Sequence, residues 1–113
     1  MKKRNIILIG MPGAGKSSVG VILAKALGYE FIDTDLVIQH REKRLLREII
    51  ADEGNEGFLA IENEVNATLE ADESVIAPGG SAIYGKEAME HFKEIAEGLH
   101  MSPNKLLKNK NLV

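Results

Sequence analysis

The 113-residue sequence has no cysteine, which excludes a disulfide framework and any thiolate metal site and leaves core packing to hold the fold. A single domain of this size buries such a core unaided. Also missing is any run approaching the roughly 20 apolar residues of a membrane-spanning helix. The apolar run at residues 6–9 is cut short by Gly10, Pro12 and Lys16 before it reaches the length of a secretory signal, so a cytoplasmic protein is the expectation. Neither sign of charge dominates, since 14 basic residues face 17 acidic ones for a net charge of −3. No global attraction to nucleic acid or to an anionic membrane is therefore expected, and any polyanion has to be held locally. The histidines His40, His91 and His100 have no metal-ligand spacing and read as solvated or capping side chains. No internal repeat interrupts the chain.

What is present is an alternation of short apolar runs and amphipathic segments. Residues 6–9 form a wholly apolar, β-branched-rich run of the kind buried on both faces of a parallel sheet. A glycine-rich turn follows, then a helical pattern over 16–27 with apolar Val19, Ile22, Leu23, Ala26 and Leu27, stopped by Gly28. Residues 29–32 read as a second strand, ending at Asp33-Thr34-Asp35. Residues 36–53 are helical in pattern with a break near Glu42-Lys43 and an apolar stripe of Leu45, Leu46, Ile49 and Ile50. Gly54 and Gly57 separate this segment from a further helix marked by Phe58, Ile61, Val65 and Leu69. Residues 74–77 form a third strand closed by Pro78-Gly79-Gly80, and residues 86–97 a final amphipathic helix using Met89, Phe92 and Ile95. Strands alternating with helices imply an α/β fold with a parallel sheet, occupying residues 1–97. The remaining stretch, 98–113, has no acid, three lysines and three asparagines, and reads as a polar basic tail.

The sharpest motif is Gly10-Met11-Pro12-Gly13-Ala14-Gly15-Lys16-Ser17, which satisfies G-x-x-x-x-G-K-[ST] between an expected strand and an expected helix. Glycines 13 and 15 let backbone amides, including that of Ala14, converge on phosphate oxygens, and the helix N-terminus adds partial positive charge. Lys16 is placed to reach the β- and γ-phosphates and the Ser17 hydroxyl to complete the shell of a Mg²⁺ ion, with Ser18 beside it expected to join the nucleotide-binding residues. The motif points to a nucleoside triphosphate with Mg²⁺ and leaves transfer, hydrolysis and simple binding open. Asp33 and Asp35 end the second strand two residues apart, directed at the crevice where open α/β sheets bind ligands. One suits Mg²⁺ or its water and the other suits accepting a proton from a substrate hydroxyl; helix capping accounts for one of them but not both.

In order and separation, GMPGAGKSSVG, Phe31-Ile32-Asp33-Thr34-Asp35, Phe58-x-x-x-Glu62 and Ala77-Pro78-Gly79-Gly80 resemble the shikimate kinase family over about residues 5–96. The resemblance implies a three-layer P-loop fold of the nucleoside monophosphate kinase type, with a parallel sheet in the order 2-3-1-4-5, and transfer of the ATP γ-phosphate to a small-molecule hydroxyl. It implies that Ser17 and Asp33 serve Mg²⁺, that Asp35 contacts substrate hydroxyls, and that Gly79 and Gly80 bring backbone amides to the substrate. Leu59 stands where the family carries an arginine against the substrate carboxylate; if it lines the pocket, the substrate is less anionic than shikimate. The family's triple glycine reads Gly79-Gly80-Ser81. All four arginines, Arg4, Arg41, Arg44 and Arg47, precede residue 48, so the resemblance offers no lid arginine, and strands four and five and the lid have no counterpart after Ala96. That would leave the first strand at a sheet edge, open to self-association. Arg41, Lys43, Arg44 and Arg47 read as a solvated basic face or as a cation for an acidic substrate, and Lys105, Lys108 and Lys110 as tail lysines or a substitute lid. Three readings stand: a shikimate kinase-like phosphotransferase, a P-loop chain that binds nucleotide without catalysis, and a kinase for another polyol or a nucleotide precursor.

Overall fold

The computed structural model describes residues 4–9 and 15–96, the side chains of 15–17 excepted. The tail expected over 98–113 lies outside the described residues. In chain order the elements are β1 (Ile6–Ile7), α1 (Gly15–Leu27), β2 (Glu30–Asp33), α2 (Thr34–Glu42), α3 (Leu46–Ala67), β3 (Ser74–Ala77), a 3₁₀ turn (Gly80–Tyr84) and α4 (Lys86–Ile95). The three strands form one sheet in the order β1-β3-β2, both pairings parallel, with Val75 opposite Ile6 and Phe31. Read from its other edge this is 2-3-1, the order that the resemblance implies for the first three strands.

Alternation along the strands sorts the core into two layers. Ile6, Leu8 and Val75 pack with Leu23 and Ala24 of α1 on one face, joined by Phe31 and Tyr29. Ile7 and Ile76 pack with Phe92 and Ile95 of α4 on the other, joined by Ile32 and Met89. A third cluster of Ile38, Ile49 and Val65 seats α2 on α3. Helices on both faces of a parallel sheet make the three-layer α/β arrangement.

Several expected boundaries shift. Helix α2 begins at Thr34, two residues early, and ends where Lys43 adopts the left-handed conformation (φ 57°, ψ 37°). Within residues 46–67 the expected separation falls at Gly54, whose backbone (φ 77°, ψ 173°) is not helical and kinks the element between two helical stretches, whereas Gly57 lies within the second. The 3₁₀ turn at 80–84 has no periodic signal in the sequence. Of the expected stripes, Ile22 of α1 is 60% exposed, and Leu45 and Ile50 are also exposed, leaving Ile49 as the buried member of its stripe.

The buried side chain of Asn5 ties the start of the sheet to distant segments. Its Nδ2 donates to the carbonyls of Ala71 (2.9 Å) and Ile95 (3.0 Å), and its Oδ1 accepts from the Ser74 N–H (3.1 Å). Asn5 also forms a parallel bridge with Ala96. At the opposite end of the sheet β2 and β3 finish side by side, with Asp33 paired to Ala77.

Candidate functional site

Residues 10–14, including Gly13 and Ala14, and the side chains of Lys16 and Ser17 lie outside the described residues. The backbone of Gly15, Lys16 and Ser17 forms the first turn of α1, and Ser18 is exposed. This 13-residue helix has no acidic residue in its first turn, so no carboxylate of its own competes for the N–H groups and partial positive charge at its start.

Asp33 closes β2 and is the N-cap of α2: its Oδ1 accepts the N–H of Asp35 at 2.9 Å. Capping thus accounts for Asp33, as one of its two readings held. Asp35 is not on the strand but in the first turn of α2, so the strand-based argument that both aspartates project to one side is corrected. Helix geometry instead carries Asp35 toward the end of β3. A Cβ added to Gly79 would lie 2.8 Å from Asp35 Oδ1 and 3.0 Å from Glu62 Oε2. Two carboxylates from different helices therefore converge on the Gly79 backbone, which can be approached so closely because it has no side chain. Gly80, opening the 3₁₀ turn, has open space where a Cβ would stand.

Glu62 is a site residue that the sequence reading did not single out. It is 2% exposed, and its Oε1 accepts the Ser81 hydroxyl at 2.7 Å. A carboxylate so buried requires fixed polar partners, and its one sequence signal is the Phe58-x-x-x-Glu62 spacing. Past Glu62 lies a cleft of about 290 Å³ between α3, the 3₁₀ turn and the start of α4. Leu59 lines it, 36% exposed, as does Tyr84, 75% exposed. Asn63 organises the far wall, donating to Glu87 Oε1 (2.9 Å) and accepting the Ala88 N–H (2.9 Å). The Asn63 hydrogen bond, then the helix N-terminal backbone, hold the Glu87 carboxyl below its usual range.

Two of the four members of the basic segment are engaged in ion pairs, while Lys43 and Arg47 are exposed. Arg41 pairs with Glu64 at 2.8 Å, and Arg44 contacts Glu42, Asp52 and Glu53 at 3.0, 3.0 and 3.3 Å. Hydrogen bonds to Asp52 and then Glu42 push the Arg44 guanidinium further above its already high range. His91 bonds to the Leu69 carbonyl, which fits a capping role. An open groove of about 790 Å³ beside α2 is lined by Leu36, His40 and three members of the basic segment, Arg41, Lys43 and Arg44, but by none of the residues expected at the phosphate or the acceptor. Among the described residues no three His, Cys, Asp or Glu side chains cluster as a metal cage.

Comparison with known proteins places this geometry in a family. The family model for shikimate kinase matches residues 12–111. The chain is 44% identical over 80 residues to shikimate kinase 2 of Yersinia enterocolitica, covering 71% of this chain and 46% of the relative. It is 45% identical over 84 residues to the shikimate kinase of a Nostoc species, covering 74% and 46%. Its fold is similar to a shikimate kinase of Acinetobacter baumannii in complex with shikimate (TM-score 0.73, 35% identity, 82% of this chain and 52% of that one). It is also similar to that of Bacteroides thetaiotaomicron (TM-score 0.71, 30% identity, 82% and 53%). The chain spans about half the length of the curated relatives it matches. With its parallel sheet between helical layers and its phosphate-loop motif, the chain belongs to the shikimate kinase family.

Proposed function

We propose that the chain holds ATP at the turn of residues 10–17 and passes its γ-phosphate to the hydroxyl of a small molecule seated at Asp35, Gly79 and Gly80. The observation that carries this reading is the convergence of Asp35 and Glu62 on the Gly79 backbone, just past the carboxyl ends of β2 and β3. The residues fit a Mg²⁺–triphosphate group: the Ser17 hydroxyl and Asp33 carboxylate are hard oxygen donors, and Mg²⁺ bound with phosphates takes one or two protein ligands rather than a protein cage. Ser17 and Asp33 would hold the Mg²⁺, which would supply positive charge against the negative charge developing on the phosphate group.

The amides of Gly13, Ala14 and Gly15 and the Lys16 ammonium bind and orient the triphosphate. Asp35 orients the acceptor hydroxyl and takes its proton as that oxygen bonds to the γ-phosphorus and the bond to the β,γ-bridging oxygen breaks, leaving ADP. The Gly79 and Gly80 backbone fixes the acceptor's position, and Glu62, braced by Ser81, supports the Gly79 turn. Nucleotide binding without transfer is the second reading. It is favoured by the engagement of Arg41 and Arg44 in ion pairs, which leaves the transition-state cation normally used in phosphoryl transfer to another source.

Calorimetry with ATP and a transfer assay over a panel of polyols test the proposal. Lys16→Ala is expected to abolish ATP binding. Asp35→Asn is expected to keep ATP affinity within about twofold and to lose roughly 10²-fold or more in kcat, the usual scale of a general base. Retention of transfer by Asp35→Asn would refute its role, and ATP binding by the unaltered chain with no transfer to any acceptor would establish the second reading.

A further inference from the structure

A fully buried polar side chain needs partners, and Asn5 keeps that rule with three hydrogen bonds to backbone groups. Thr34 and Asn66 are buried as completely, yet Thr34 Oγ1 and both amide atoms of Asn66, Nδ2 and Oδ1, have no hydrogen-bond partner among the described residues. Along the chain both adjoin the convergence at Gly79. Thr34 opens α2 between the Asp33 cap and Asp35, and Asn66 lies one helical turn beyond Glu62 on α3. Thr34 and Ile38 stand four residues apart on α2, and Glu62, Val65 and Asn66 are spaced three and four apart on α3, so each set occupies one buried helix face. Those faces meet. Ile38 packs in one cluster with Val65, and the Asp35 and Glu62 carboxylates each come within 3.0 Å of one point beside Gly79. The orphaned atoms therefore belong to the seam between α2 and α3, flanked by an apolar contact and an acidic one.

We infer that Thr34 and Asn66 hold a buried water that locks the first turn of α2 to α3, and that both are positioning residues for Asp35. The amide of Asn66 offers a donor and an acceptor, and the Thr34 hydroxyl offers either. One water meets all three atoms: it accepts from Nδ2, and its two hydrogens go to Oδ1 and Oγ1. About three hydrogen bonds is the usual complement of a buried water, and such waters are held by polar groups that would otherwise be unpaired. Because Thr34 and Asp35 are neighbours in the first turn of α2, a bridge at the Thr34 hydroxyl sets where the Asp35 carboxylate stands relative to Glu62. The hydration site stands on burial and orphaned atoms alone; its positioning role rests on the transfer reading above.

The test uses Thr34→Val and Asn66→Leu, which remove polar atoms at nearly constant shape, and Thr34→Ser, which keeps the hydroxyl. In water-selective NOE spectra of the unaltered chain, cross-peaks from a long-lived water to the Asn66 side-chain amide protons are expected, and their absence would overturn the hydration site even if no variant folds. In urea unfolding, Thr34→Val combined with Asn66→Leu is expected to lose less stability than the two single losses together, because each single change strands the polar atoms of the other residue; the expected coupling is a factor of about 5 or more in the unfolding equilibrium constant. Independent effects would overturn the shared water. For transfer, kcat per ATP site counted by calorimetry is expected to fall about 10-fold in Thr34→Val and in Asn66→Leu with KM for ATP unchanged, and to stay within about threefold in Thr34→Ser. Counting sites removes any loss of folded protein, so unchanged kcat in both apolar variants would overturn the positioning role. An unaltered chain that shows the water and the coupling but transfers phosphate to no acceptor would instead sink the transfer reading, and the positioning role with it, and leave the hydration site intact.

Discussion

Gly79 is constrained by space and not by backbone conformation. Its φ of −63° and ψ of 162° are open to any residue, yet a methyl group would stand within 3.0 Å of both the Asp35 and Glu62 carboxylates. Gly79→Ala must therefore push apart the two groups proposed to hold the acceptor. The expected outcome is a loss of transfer on the order of 100-fold, the scale of a misplacement of about 1 Å, with ATP affinity unchanged in the same calorimetric titration; equal losses in both would show that the strain spreads to the nucleotide side. At this scale the sequence was informative where a residue type reports its own backbone need. Gly28, which follows the last residue of α1 at φ 73°, is of that kind. Glu62 was not legible as a site residue, because a glutamate in an amphipathic helix looks the same whether solvated or, as here, 2% exposed; only the packing of α3 against the 3₁₀ turn decides.

Elements were legible in type and order, and less so in their ends and faces. Strand β3 falls at the expected residues because a continuous apolar run closed by Pro-Gly-Gly has no competing helical reading. The start of α2 moved because Asp33 serves both as the last strand residue and as the cap, two signals that overlap in sequence. Periodicity indicates that a stripe exists but not which neighbours cover it, so Leu23 and Ala24 became core while Ile22 did not. Within α3, Gly54 occupies φ 77° and ψ 173°, a region reserved almost wholly for glycine. Gly54→Ala is expected to destabilise the fold by about 1–3 kcal/mol, read as a lower urea midpoint with an unchanged slope. A rise in stability would mean that the helix straightens without cost and that the kink serves no packing purpose.

For the whole molecule, the three described strands adopt the order expected of the family's first three, and the two core layers follow from simple alternation in β1 and β3. What the sequence concealed was the pin between the layers: a lone asparagine before an apolar run gives no sign that it will be buried. Asn5 is 0% exposed and satisfies three backbone groups. Asn5→Leu keeps the branched heavy-atom shape and orphans those groups, at about 1–3 kcal/mol for each one left buried and unpaired. The expected result is a chain largely unfolded at 37 °C by circular dichroism. A native spectrum with an unchanged melting temperature would show that water replaces the amide.

The partners of Asn5 also impose an order of events during synthesis. Its hydrogen bonds reach 66, 69 and 90 residues along the chain, and β1 pairs with β3 alone among the named strands. On a ribosome the first strand to emerge is thus without its neighbour until about residue 76 has been made, several seconds later at about 5–20 residues per second. Through that interval the run Ile6-Ile7-Leu8 is an unpaired apolar strand, the kind of segment that holdase chaperones bind and that aggregates when they are scarce.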